Sequence, residues 1–127
     1  MLRAALIFST ILYIPAFAQS SEIRGRLAAQ QNLIHELSAG MTRYTPRSPE
    51  LSKRSSFIRV LENQAKLIQL PREQWQPDTV QKQFAALTLQ VERLRIEVSN
   101  YMPNHPSLVP KLAIIDFLER ELHSLSN

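Results

Sequence analysis

The side chains able to do chemistry are three histidines, eleven carboxylates and a scatter of serines, and their spacing decides whether they can act together. His35, His105 and His123 could each bind a metal ion or carry a proton near neutral pH. A zinc site announces itself by paired ligands at short fixed spacing. No two histidines here lie four apart, and no Asp or Glu joins them in a recognisable zinc pattern. No serine stands in a Gly-x-Ser-x-Gly elbow. The carboxylates fall on outer helix faces. Glu92 with Arg95, and Glu119 with Arg120 or His123, read as helix-surface pairs rather than as an acid and base facing each other across a cleft. The expectation is therefore no enzyme, no cofactor and no metal. What remains is recognition chemistry. Tyr44, Arg47, Tyr101, Asn104 and His105 sit in two proline-containing turns, and Trp75 is the only tryptophan. Rings, cations and amides of this kind can anchor a partner. His105 could instead cap a helix or pack on Tyr101. Trp75 either folds over a helix end, as a small disulfide-free core needs, or stands out as an anchor.

These residues are positioned by a sequence that reads twice. Residues 27–68 and 84–125 align without a gap at an offset of 57, with ten identities in 42 positions. Tyr44-Thr45-Pro46-Arg47-Ser48-Pro49-Glu50-Leu51 lies over Tyr101-Met102-Pro103-Asn104-His105-Pro106-Ser107-Leu108. Such self-similarity marks one supersecondary unit used twice. Each copy runs apolar-periodic segment, Pro-containing turn, apolar-periodic segment. With two glycines, no Asn-Gly turn and no period-two alternation, strands are not expected.

The spacing of apolar residues alternates between three and four, as in a coiled-coil seam. The first arm offers Ile23, Leu27, Ile34, Leu37, Met41 and Tyr44, with Gln30 in the one polar slot. The third offers Val80, Phe84, Leu87, Val91, Leu94, Val98 and Tyr101. The returning arms offer Leu51, Ile58, Leu61, Ala65 and Ile68, then Leu108, Ile115, Leu118, Leu122 and Leu125. Arg54 and Lys111 hold matching positions near the turns, where long stems can snorkel. Ser48 before Pro49 reads as an N-cap. Asn104 or Ser107 could cap the fourth helix, and Asp78 or Thr79 the third. Gly40, late in the first helix, is expected to loosen it slightly. The fold class is all-α, with two helical-hairpin repeats forming an antiparallel four-helix bundle or coiled-coil hairpins.

Residues 1–18 read as a cleaved signal peptide. Met1-Leu2-Arg3 is a positive start, Ala4 to Phe17 is mostly apolar, and Ala16-Phe17-Ala18 suits cleavage before Gln19. The apolar run is shorter than the roughly 20 residues that span a bilayer. The domains expected are hairpin one over 19–70, a connector over 71–79 and hairpin two over 80–127. The chain carries no cysteine, so packing alone holds it. Past the signal, basic residues modestly outnumber acidic ones, and Arg43, Arg47, Lys53, Arg54 and Arg59 gather around the first turn. That is too sparse for a nucleic-acid stripe. It suits either a solvated surface or weak attraction to anionic polysaccharide or a membrane surface.

The Tyr-x-Pro-x-His-Pro turn of residues 101–106, followed by Leu112, Ile115, Leu118-Glu119 and Leu122, resembles the periplasmic coiled-coil hairpin of polysaccharide chain-length determinants and exopolysaccharide copolymerases of the Wzz, Wzc and GumC type. Residues 84–125 carry the resemblance, and residues 27–68 are a weaker copy with Ser48 in place of the histidine. Those proteins add two membrane-spanning helices, an α/β base and in some cases a tyrosine kinase, none of which matches anything in these residues. The resemblance implies a free periplasmic hairpin module, with Tyr101, Pro103, His105 and Pro106 structural. The functional expectation is an exported, periplasmic or secreted, protein–protein interaction module of the bacterial cell envelope, an accessory of surface-polysaccharide assembly or export. Its partner is an envelope protein or a second copy of itself. The alternative is a periplasmic four-helix-bundle protein that binds a ligand or acts as a chaperone.

Overall fold

The computed structural model describes residues 21–126, and the expected signal segment lies outside them. Four helices follow one another. They are α1 (Ser21–Ala39), α2 (Pro49–Ile68), α3 (Pro77–Ser99) and α4 (Leu108–Ser126), with single 3-10 turns at Met41–Arg43 and Arg72–Gln74. No strand occurs among the described residues. The chain divides into two compact units, the first ending at Arg72 and the second beginning at Glu73. In the first, α1 packs on α2; in the second, α3 packs on α4. Each unit is a helical hairpin, as the repeat predicts.

Prolines and caps set the helix ends. Ser48 has an extended backbone and its Oγ accepts from the Glu50 N–H at 3.2 Å, with Pro49 as the first helical residue. In the second copy the Lys111 N–H donates to the Ser107 carbonyl at 3.1 Å, so α4 starts just past Ser107. Pro110 then falls in the first turn, where it removes no helical hydrogen bond. At α3 the expectation fails. Pro77 opens the helix behind an extended Gln76 that gives no side-chain cap, so Asp78 and Thr79 lie inside the first turn. There the Asp78 carboxylate faces the positive end of the helix dipole.

The seam differs from the expected one in a regular way. In α3 the buried positions are Gln83, Leu87, Gln90, Val91 and Leu94, while Phe84 is exposed. In α1 they are Gln30 and Leu33. The steps 83-87-90-94-97-101 and 26-30-33-37-40-44 are the same seam 57 residues apart, lying to one side of the stripe that hydropathy suggests. In the returning helices the expected Leu61, Ala65, Ile68, Ile115, Leu118 and Leu125 are buried, and Gln64 and Glu121 join them. Leu61, Gln64 and Ile68 in α2 correspond to Leu118, Glu121 and Leu125 in α4, and all six are buried. Helix α2 also buries Phe57, Val60, Ala65 and Leu67, an apolar face wider than a two-helix seam needs.

Five buried positions are polar: Gln30, Gln64, Gln83, Gln90 and Glu121. The expectation of Gln30 as the one polar seam residue is thus too narrow. Gln64 and Glu121 occupy the same repeat position. Gln30 has neither amide atom hydrogen-bonded, and its repeat counterpart is Leu87.

Candidate interaction surfaces at the hairpin ends

Each hairpin is locked near its turn by the same pair of repeat positions filled with different chemistry. In the first, the Arg54 guanidinium reaches back across the seam. Its Nη1 donates to the Leu37 carbonyl at 3.2 Å, among the last carbonyls of α1, which lack helical partners. The guanidinium carbon also lies 5.4 Å from the centroid of the Tyr44 ring, a cation–π contact. This reach passes over Gly40, where an added Cβ would lie 2.7 Å from Arg54 Nη1. Gly40 is therefore not a loose point in the helix. It sits just past α1 in ordinary right-handed backbone, and what matters is its missing side chain.

The second copy has Glu97 where the first has Gly40, and Lys111 where it has Arg54. Lys111 Nζ lies 3.0 Å from Glu97 Oε2, and the Tyr101 hydroxyl donates to the same oxygen at 2.6 Å. One face of the Tyr101 ring is covered by His105, stacked at 4.2 Å between centroids with the rings 5° apart. His105 Nδ1 in turn accepts from the Ser107 N–H at 3.0 Å, fixing the approach to α4. Capping and stacking on Tyr101 are thus both roles of His105.

Of the residues expected at a contact surface, Arg47, Asn104 and His105 are exposed at the turns. Tyr44 and Tyr101 are half-buried and tied into the locks rather than presented outward. Trp75 is half-buried just ahead of α3. The surface ion pairs also differ from those expected. Arg95 pairs with Glu119 across the second hairpin, and Arg120 pairs with Asp116 one turn back along α4.

Sequence reasoning gave no surface role to a second set of residues. Met102 and Val109 are each 74% exposed and Ile96 is 66% exposed, with Leu89 and Leu112 also open to solvent. The first hairpin carries Thr45, Ser52, Ala39, Asn32 and Ser55 at the equivalent positions. The repeat itself was the signal that could have found them. Where two copies share a framework, large apolar residues confined to the surface of one are not needed to build it. Charge diverges in the opposite sense. Arg43, Arg47, Lys53 and Arg59 of the first copy are matched by Asn100, Asn104, Pro110 and Asp116 in the second.

Among the described residues no three of His, Asp or Glu gather as a group able to hold a metal ion. Among them, too, no helix is long and apolar enough to cross a membrane. No protein-family model, curated protein or solved structure matches the chain.

Proposed function

We propose that this chain is an exported helical module that docks on proteins of the bacterial cell envelope, and that it serves surface-polysaccharide assembly as an accessory without covalent chemistry. One observation carries the docking reading. The second hairpin exposes Ile96, Met102, Val109 and Leu112 around its turn, where the first exposes none but small or polar residues. Exposed apolar side chains gathered at one end of an element, dispensable to its framework, are what a protein partner buries. The narrower assignment to polysaccharide assembly rests on the resemblance of the Tyr101–Leu108 turn to copolymerase hairpins.

Both parts are open to one genetic experiment. A strain lacking the gene is complemented with the wild type or with Met102→Thr, Val109→Ser and Leu112→Ser, which copy the first hairpin's residues. The expected result is an altered length or amount of surface polysaccharide, restored by the wild type and not by an equally abundant triple variant. An unchanged profile in the deletion strain removes the polysaccharide role. Full rescue by the triple variant removes the docking surface.

A further inference from the structure

We propose that the turn end of the first hairpin binds the surface of bilayers that carry anionic lipid headgroups. Arg43, Arg47 and Lys53 stand exposed around that turn, and none has an ion-pair partner among the described residues. Between residues 40 and 59 the one carboxylate is Glu50. The second hairpin builds the same turn with Asn100, Asn104 and Pro110 at these positions, so the fold does not require the charges. Unpaired cations that a shared framework can do without are complementary to an external anion.

The geometry favours a lipid surface over a polysaccharide chain. Sugar recognition calls for an open aromatic face or a cleft. The aromatic ring at this end, Tyr44, already has the Arg54 guanidinium over it, and the end of a two-helix hairpin is convex. A convex end can bring several cations to a plane at once. Near an anionic membrane each such cation raises partitioning roughly fivefold, so three together are worth on the order of a hundredfold. This surface belongs to the first hairpin and stands independently of the partner face on the second.

The test is sedimentation of the full chain with two kinds of vesicle, phosphatidylcholine alone and phosphatidylcholine mixed with phosphatidylglycerol. The ratio of the two affinities cancels any contribution independent of lipid charge, such as that of the apolar amino-terminal residues. Arg43→Asn, Arg47→Asn and Lys53→Gln together should lower that ratio on the order of a hundredfold, with an unchanged far-UV spectrum. A charge-matched control, Lys66→Gln, Lys82→Gln and Arg93→Gln, should lower it only a few-fold. Added salt should bring the wild type toward the turn variant. The proposal is overturned if the wild type shows no preference for the anionic vesicles, or if both triple variants lose equally. It is also overturned if soluble alginate, a polyuronate, is bound through the turn cations while the vesicles are not.

Discussion

At the scale of single residues, the pairing of Gly40 with Arg54 shows how an absent side chain can be as specific as a present one. The guanidinium, on its way to the Leu37 carbonyl, occupies the space that a side chain at residue 40 would enter. Substituting alanine for a right-handed, solvent-accessible glycine ordinarily stabilises a protein by about 0.4–1 kcal/mol through the unfolded chain. Here Gly40→Ala should show that gain only when Arg54→Ala has already removed the obstructed group. In the wild-type background the gain should be cancelled or reversed, giving a coupling of about 1 kcal/mol in a denaturant double-mutant cycle. Additive effects would mean that Arg54 moves aside at no cost. None of this was readable from residues 40 and 54 alone, because their proximity depends on how two helices cross. The pairwise change to Glu97 and Lys111 in the second copy was its one trace in the sequence. The exposed turn residues were easier to foresee. Arg47, Asn104 and His105 follow the prolines into solvent, whereas the tyrosines beside them are drawn into the locks by ring contacts that spacing does not encode.

At the scale of the helices, the number, type and ends of the elements were legible. Prolines at 46, 49, 71, 77, 103 and 106 are barred from helix interiors and fall in turns or at a first helical position, and Ser48 caps as its type suggests. The buried face was legible only in part. Hydropathy draws the third helix's stripe through Phe84, yet packing turns it toward Gln83 and Gln90. The likeness of the two copies explains why. The register that brings Lys111 to Glu97 and Arg54 over Gly40, continued along each hairpin, sets Gln30 level with Gln64 and Leu87 level with Glu121. Gln64 and Glu121 are thus the same polar position on the two returning helices. Gln30 is a second polar group in its layer, with both amide atoms unpartnered. A buried polar group without hydrogen bonds costs about 1–3 kcal/mol. Gln30→Leu, which copies Leu87, should therefore raise the unfolding free energy by about that much, read by urea denaturation with an unchanged slope. A loss of stability instead would show that Gln30 is held by bonds made in solution.

At the scale of the whole chain, one hairpin has been used twice and the turn ends of the two copies carry different surfaces, one cationic and one apolar. Such a duplication carries a hazard during folding. Each outgoing helix meets two returning helices of the same period and nearly the same length, and repeat proteins misassemble by this route. The two locks discriminate between the candidates. Were α1 to close on α4, Lys111 would arrive at Gly40 and find no carboxylate, while Glu121 would come level with Gln30 in place of Leu87. Making the first lock resemble the second, by Gly40→Glu with Arg54→Lys, should remove that discrimination. Refolded at high protein concentration, such a chain should give more exchanged oligomer than the wild type on size-exclusion chromatography. An identical elution profile would mean that chain connectivity alone sorts the helices. The lock residues thus work as an address, telling each newly made helix which of two equivalent mates is its own, and drift at either position would be felt first as lost fidelity of assembly.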